Sequence, residues 1–208
     1  MLLEKIKSLA KQHQAENVSI RRHLHANPEL SYQEFETSKY VQAQLKAIGI
    51  PFTVIATTGV LGIIEGKNPS KRIIALRADM DALPIIEENK VDYISTKEGV
   101  MHACGHDVHT TILLGAAKIL WTLREEFEGT IKLLFQPGEE KNPGGASYMI
   151  RDGALKNPIP AGIVGLHVHP GLNHGKLSFR KGRVMASADE YMFLLKAQED
   201  MLPRLIKQ

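Results

Sequence analysis

The densest cluster of reactive side chains in this 208-residue sequence lies between Met101 and His109. These nine residues read Met-His-Ala-Cys-Gly-His-Asp-Val-His and include Cys104, the only cysteine of the chain. Thiolate, imidazole and carboxylate groups are the ligands of zinc, manganese, cobalt and nickel sites. Gly105 lets the backbone turn, so that Cys104 and His106 can face one point. The cluster therefore predicts a metal site.

Two pairs of acids follow strand-like segments elsewhere in the chain. Asp79 and Asp81 stand two residues apart, where they can orient a ligand histidine or hold a metal, although an Asx turn before a proline would also use them. Glu139 and Glu140 are adjacent, and one carboxylate of such a pair can bind metal while its neighbour acts as a general base on water. A solvated acidic turn is the alternative for the second pair.

A pair of histidines, His167 and His169, follows a third apolar segment. Alternate residues of an extended chain point to the same side, so both rings could face one site, whereas structural histidines are the alternative. Together the four groups predict a metallohydrolase site with one or two ions that polarise a carbonyl or lower the pKa of bound water to ~7. A nucleophilic Cys104 beside a histidine is a further alternative, but the many histidines and acids favour its being a ligand.

Hydrophobic periodicity predicts the elements that position these groups. Helices are predicted around Leu2–Ala10, Val18–His25, Gln33–Ile48, Val108–Leu123 and Ala146–Arg151. Strands are predicted at Phe52–Ala56, Val60–Glu65, Arg72–Arg77, Thr130–Phe135, Gly162–Leu166, Lys176–Arg180 and Glu190–Leu195. Asp107 or Thr110 can cap the fourth helix, which is the alternative role for part of the Met101–His109 cluster. The alternation predicts a three-layer α/β domain with a mixed, largely parallel sheet and ligands at the carboxyl ends of its strands.

Composition excludes several other classes of protein. Hydrophobic residues make up 43% and charged residues 24%, which is typical of a folded soluble protein. The net charge is only +3 and the basic residues are scattered, so we expect no nucleic-acid partner. The longest apolar runs, Val60–Ile64 and Ile112–Ala117, are too short to cross a bilayer, and the N-terminus does not resemble a signal peptide. We therefore expect a cytoplasmic protein with no membrane association.

The motifs, in their order along the chain, resemble those of the metal-dependent amidohydrolases. This group includes aminoacylases, hippurate hydrolases, N-acetyl-diaminopimelate deacetylases and plant auxin-conjugate hydrolases. The resemblance spans about residues 15–195. The matching segments are Arg21–Ser31, Leu76–Pro84, Met101–His109, Phe135–Glu140, Gly165–Pro170 and Met185–Asp189.

The resemblance implies a metallopeptidase-like catalytic domain that holds a divalent metal, with two ions of manganese, zinc, cobalt or nickel. The implied metal ligands are Cys104, His106, Glu140 and His167. Glu139 would be the general base, and Asp81 would lie beside the metal centre. The implied reaction is hydrolysis of the amide bond of an N-acyl amino acid, with Glu139 passing the proton of the attacking water to the leaving amine.

The resemblance also implies a smaller lid domain, through which such proteins often dimerise, and a later segment with one more ligand histidine. The chain stops where the lid should begin, so we expect residues 1–188 to be the N-terminal part of the catalytic domain and residues 189–208 to begin the lid. The lid domain itself would be essentially missing.

The last residues differ from the Gly-Gly-His-Ala-Ala type of segment that the family usually shows after a strand such as Glu190–Lys196. With suitable synonymous codons, a shifted reading frame of Glu199–Gln208 encodes Gly-His-Ala-Ala-Ala-Pro-Asp-Lys-Ala. We therefore hypothesise a frameshift near Lys196–Glu199. A non-catalytic fragment with an incomplete metal site is then the alternative to an active amidohydrolase.

Overall fold

The computed structural model describes residues 1–173, 175–179 and 181–182. The chain divides into two compact units, Met1–Pro170 and Gly171–Gln208, and the candidate site lies in the first. The predicted strand Glu190–Leu195, the segment Met185–Asp189 and the expected lid residues 189–208 lie outside the described residues. The division of the chain at residue 188 therefore stays a prediction.

The structure contains the predicted elements of the first unit, with bounds that differ by a few residues. The helices are α1 (Leu2–Gln12), α2 (Gln14–Ala26), α3 (Phe35–Ile48), α4 (His106–Thr122) and α5 (Gly145–Arg151), and a 3₁₀ turn covers Arg124–Glu126. The strands are β1 (Phe52–Ile55), β2 (Gly59–Glu65), β3 (Ile73–Asp79), β4 (Thr130–Gln136) and β5 (Ile163–Gly165). Among the described helices, none combines the length and the apolar character needed to cross a bilayer.

The predicted strand Lys176–Arg180 is wrong over residues 176–179, which form no strand. Leu177 and Phe179 are exposed there, at 78% and 94% of their surface. A strand needs a neighbour that satisfies its backbone groups, and a short alternation of apolar residues cannot show whether a neighbour exists.

The five strands form one mixed sheet in the order β1-β2-β4-β3-β5. Strand β3 is parallel to both β4 and β5, whereas β2 is antiparallel to both β1 and β4. Asp79 at the end of β3 is paired in register with Gln136 at the end of β4, and Arg77 is paired with Gly165 of β5. The carboxyl ends of the three parallel strands therefore meet at one edge, which brings the predicted motifs together.

Helices cover both faces of the sheet, as the three-layer prediction requires. Leu133 and Phe135 of β4 pack in the larger core with Leu45 of α3 and Leu113 of α4. The alternate residue of β4, Leu134, packs in a second cluster with the α5 residue Met149. Successive side chains of a strand point to opposite faces, so the apolar run of β4 serves both layers.

Candidate metal centre

Three groups of donor atoms converge where the parallel strands end. Within each group the donor atoms lie within 4.8 Å of one another. The groups are Cys104, His106 and His167; Asp79, His106 and His109; and His106, Glu139 and Glu140. His106 belongs to all three, so the predicted ligands and the predicted general base surround a single imidazole.

His106 is the first residue of α4 and is fully buried. Its Nδ1 atom donates a 2.8 Å hydrogen bond to the backbone oxygen of Asp81. Its Nε2 atom has no hydrogen-bond partner. That atom lies 3.6 Å from a carboxylate oxygen of Asp79, 3.6 Å from one of Glu140 and 4.0 Å from one of Glu139.

The carboxylates around this Nε2 atom favour a positive charge at this position. Burial alone lowers the pKa of His106, but the hydrogen bond to Asp81 and the charges of Asp79, Asp81 and Glu140 raise it above its ordinary value. A cation that binds the imidazole nitrogen and the carboxylates together compensates for the burial of these polar groups. The residues present therefore fit a divalent metal.

Cys104 lies beside this imidazole because of the turn at Gly105. Gly105 precedes α4 with a φ of 90°, a conformation that glycine adopts without a steric penalty. The Sγ atom of Cys104 lies 3.4 Å from Nε2 of His167. Burial, together with the nearby carboxylates of Glu140, Glu139 and Asp79, raises the pKa of Cys104 to about 12. A metal ion would have to displace the thiol proton in order to bind.

Asp79 orients a histidine, as one interpretation of its motif predicts. Its Oδ1 atom accepts a 2.6 Å hydrogen bond from Nδ1 of His109, and its Oδ2 atom accepts one of 2.6 Å from Arg77. Burial raises the pKa of Asp79, but the bond from His109 and the charges of His106 and Arg77 outweigh it and lower the pKa overall. Asp79 is thus a fixed carboxylate between two cationic or donating partners.

Asp81 connects the loops that follow β3 and β4. Its Oδ2 atom accepts hydrogen bonds from the hydroxyl of Ser31 at 2.6 Å and from the backbone N–H of Glu140 at 3.0 Å. Burial opposes ionisation, but bonds from His106, Ser31 and the backbone lower the pKa of Asp81 to about 2. The carboxylate therefore stays charged and holds Glu140 close to His106.

Glu34 supports the same region and was missed by sequence reasoning. It is fully buried, and its carboxylate accepts hydrogen bonds from the backbone N–H groups of Gly138 and Tyr32 and from the hydroxyl of Thr58. An acid just before a helix is usually exposed, so only its place shortly after the Arg21–Ser31 segment hinted at a role.

A second buried polar cluster surrounds Asp107 in the first turn of α4. Asp107 accepts hydrogen bonds from His25 at 2.8 Å and is paired with Arg21 at 2.9 Å, and His25 also bonds Glu87 at 2.9 Å. The nearby His102 is buried with neither ring nitrogen hydrogen-bonded, and its burial lowers the pKa to about 4. Sequence spacing alone did not predict that these residues meet.

Neither Asp107 nor Thr110 caps α4, so the alternative role of these two residues is not observed. Helix α4 has Gly105 at its N-cap and no capping side chain. Asp107 is engaged by His25, and the hydroxyl of Thr110 donates to the backbone oxygen of Asp79. These tertiary partners compete successfully with the helix terminus for both side chains.

The two histidines after β5 differ in position. His167 joins Cys104 and His106, whereas His169 belongs to none of the donor groups found among the described residues. Strand β5 ends at Gly165, so the two-residue alternation of a strand does not extend to these positions.

Comparison with known proteins agrees with this geometry. Residues 75–200 match Peptidase family M20/M25/M40. The chain belongs to this family. The family assignment confirms the resemblance to amidohydrolases that the motifs indicate.

Two relatives illustrate the similarity in sequence. The N-acyl-L-amino acid amidohydrolase of Geobacillus stearothermophilus is 42% identical over 192 residues, which cover 92% of this chain and 51% of the relative. The IAA-amino acid hydrolase ILR1-like 5 of Arabidopsis thaliana is 48% identical over 176 residues, covering 84% and 39%. The chain thus spans about half the length of the relatives it matches, or less.

A solved structure shows the same fold. The Bacillus subtilis YXEP protein, described as a dinuclear metal binding peptidase from the M20 family, is 39% identical with a TM-score of 0.73. The match covers 78% of this chain and 45% of that protein. The predicted metallopeptidase-like α/β fold is therefore confirmed.

Proposed function

We propose that this chain is the N-terminal part of a metal-dependent amidohydrolase that cleaves the amide bond of N-acyl amino acids. The observation that carries the proposal is the unpaired, buried Nε2 atom of His106, surrounded by carboxylates and close to a thiol and a second histidine. The amidohydrolases among its relatives support the class of substrate.

The proposed metal ligands are Cys104, His106, Glu140 and His167, and the site would take two divalent ions of zinc, manganese, cobalt or nickel. A thiol and imidazoles favour the softer members of this set, and the carboxylate suits all of them. When bound, such ions polarise the substrate carbonyl and make a water molecule more acidic.

Glu139 would act as the general base. Its side chain is 41% exposed and lies at the edge of the cluster, with a carboxylate oxygen 4.0 Å from Nε2 of His106. Burial and the adjacent charge of Glu140 raise the pKa of Glu139, which suits a group that first takes a proton and then releases it. Glu139 accepts a proton from water as oxygen bonds to the carbonyl carbon. It returns the proton to nitrogen as the C–N bond breaks.

Asp81 and Glu34 would keep this base in place. The bond from Glu140 N–H to Asp81 and the bond from Gly138 N–H to Glu34 fix both sides of Glu139. A base held in this way loses little entropy on reaching the transition state.

The alternative of a nucleophilic Cys104 is disfavoured by its surroundings. A pKa of about 12 leaves the thiol protonated near neutral pH, whereas a catalytic cysteine needs thiolate. The other alternative is a non-catalytic fragment with an incomplete metal site, and the activity measurement described below distinguishes it from the proposal.

Metal binding by the 208-residue chain gives the first test. Zinc or Co(II) at a hundred times its dissociation constant should raise the free energy of unfolding by about 2.7 kcal/mol, and a chelator should reverse the effect. Replacement of His106 by Ala should abolish the increase, whereas the exposed His23→Ala variant should retain it. An unchanged stability on adding metal would contradict the proposed site.

A chimera tests the hydrolytic step. Residues 1–170 would replace the matching part of the Geobacillus stearothermophilus relative, and release of amino acid from N-acetyl amino acids would be measured. We expect activity from the chimera and a loss of about a thousandfold or more in its Glu139→Gln variant, with metal content unchanged. Activity in the chimera but none in the 208-residue chain would favour the non-catalytic alternative for the latter.

A further inference from the structure

We propose that His109 is a positioning residue that sets the location of the His167 ring and is not itself a metal ligand. The proposal rests on the proposed function, because it takes His167 as a ligand. His109 lies close enough to Asp79 and His106 to form a donor group with them, so proximity alone would suggest a ligand.

Both ring nitrogens of His109 are already engaged. Nδ1 donates to the carboxylate of Asp79 at 2.6 Å, so Nε2 carries the lone pair of the neutral ring. That lone pair accepts a 2.9 Å hydrogen bond from the backbone N–H of Val168. The side chain is 1% exposed. A neutral imidazole that uses its one proton and its one lone pair has no lone pair left for a cation.

The carboxylate that holds His109 is itself anchored to an interior strand of the sheet. Asp79 is the last residue of β3, which pairs with β4 on one side and β5 on the other. Arg77 donates to its other carboxylate oxygen, and Thr110 donates to its backbone oxygen. The contacts therefore run from strand β3 through His109 to the backbone of Val168.

A second contact holds Val168 through its side chain. A Cβ atom built on Gly105 would lie 2.3 Å from Cγ2 of Val168, so the valine packs directly on the glycine between Cys104 and His106. Val168 is thus fixed at its N–H group by His109 and at its side chain by Gly105. His167, the preceding residue, is left with its Nε2 atom 3.4 Å from Sγ of Cys104.

The residues that follow β5, including His167 and Val168, depend on these contacts because the pairing of β5 with β3 is short. Strand β5 pairs with β3 over three residues, ending at Gly165. His167 lies two residues beyond that pairing. Without the bond from Val168 to His109, the backbone beside the His167 ring would lose its hydrogen bond to α4 and keep only the packing of Val168 on Gly105.

The test is a double-mutant cycle on Co(II) affinity in the 208-residue chain. We expect His109→Leu to weaken binding by about tenfold or more, as is typical when a residue that orients a metal ligand is lost. In a His167→Ala background, the same substitution should have no further effect. His109→Gln keeps an acceptor for Val168 and should bind within about threefold of the wild type. His23→Leu, the same change at an exposed site, is the matched control.

A different pattern would overturn the proposal. If His109 were a ligand, its loss would add to that of His167 in the cycle, and His109→Gln would be as damaging as His109→Leu. Wild-type affinity in His109→Leu would exclude any positioning role. Absorption from the bond between Co(II) and the Cys104 thiolate should persist in every variant, which separates weak binding from a collapsed site.

Amide hydrogen exchange gives a readout that needs no metal. In the metal-free chain, exchange at Val168 should be about tenfold or more faster in His109→Leu than in the wild type or in His23→Leu. Unchanged exchange at Val168 would contradict the proposal. If the wild type binds no Co(II), the proposed function fails, while this measurement still decides whether His109 holds the segment.

Discussion

The carboxylate of Glu34 accepts a 2.7 Å hydrogen bond from the backbone N–H of Gly138, 104 residues further along the chain. The Tyr32 ring fills the space beside Gly138, where a Cβ atom would lie 2.3 Å from a ring carbon. The hydroxyl of Tyr32 also donates to the backbone oxygen of Lys141. The turn that carries Glu139 and Glu140 is therefore shaped by residues that precede α3.

Replacing Glu34 by Ala should destabilise the protein by about 3 kcal/mol or more, because two buried donors and one partly buried donor would lose their acceptor. Burial raises the pKa of Glu34, so a neutral isostere is tolerated there. Glu34→Gln should therefore cost about 1 kcal/mol or less. Urea denaturation measures the loss in both variants, and Glu36→Ala, at an exposed position in the first turn of α3, is the control. Equal losses in the two Glu34 variants would show that the hydrogen bonds are not the cause.

The contact between Gly105 and Val168 predicts a compensating pair of substitutions. Gly105→Ala should destabilise the protein by about 3 kcal/mol, since it adds a methyl group at a φ of 90° and against Cγ2 of Val168. The Cβ atom of Val168 would lie 3.8 Å from the new methyl group, an ordinary contact. The double variant Gly105→Ala/Val168→Ala should therefore lose less stability than the two single variants together. A strictly additive result in thermal unfolding would contradict the packing described.

The buried pair of His25 and Asp107 predicts a pH dependence of stability. The hydrogen bond to Asp107 raises the pKa of His25 above 6.5, and the bond to Glu87 adds to this, although burial opposes both. The contribution of His25 should thus be fully present below pH 6.5 and should disappear as the pH rises through the folded-state pKa.

His25→Gln isolates this contribution. The difference in the free energy of unfolding between wild type and variant should be largest near pH 5.5 and smaller near pH 8.5. His23→Gln, an exposed site on the same helix, serves as the control. A difference that grows with pH would mean that the His25 ring is neutral in the folded protein.

Much of the fold could be predicted because its signals are local. The apolar spacing of α4 and the apolar run of β4 predict their type, and Gly49 marks the end of α3 with a left-handed φ of 94°. The predicted site residues converge because parallel strands place their carboxyl ends at one edge. The roles of Asp81, Glu139 and the four ligands stay predictions.

The missed residues depend on partners that are distant in sequence. Glu34 has partners in the turn before Glu139 and at Thr58, and His25 bonds Asp107, 82 residues later. Sequence patterns give the type of an element but not the charges packed against it. Asp107 therefore looked like a helix cap, although a buried histidine binds it.

The short pairing of β5 has a consequence for the local stability of the protein in a metal-poor cell. All three residues of β5 are exposed, and within the part of the chain that the structure describes the strand pairs on one side only. An ion shared by His167 and the first turn of α4 would tie this edge to the interior. A chain without its ion would open there more often, and it would offer proteases an entry point and other chains an unpaired edge. Metal supply would then control the amount of folded protein.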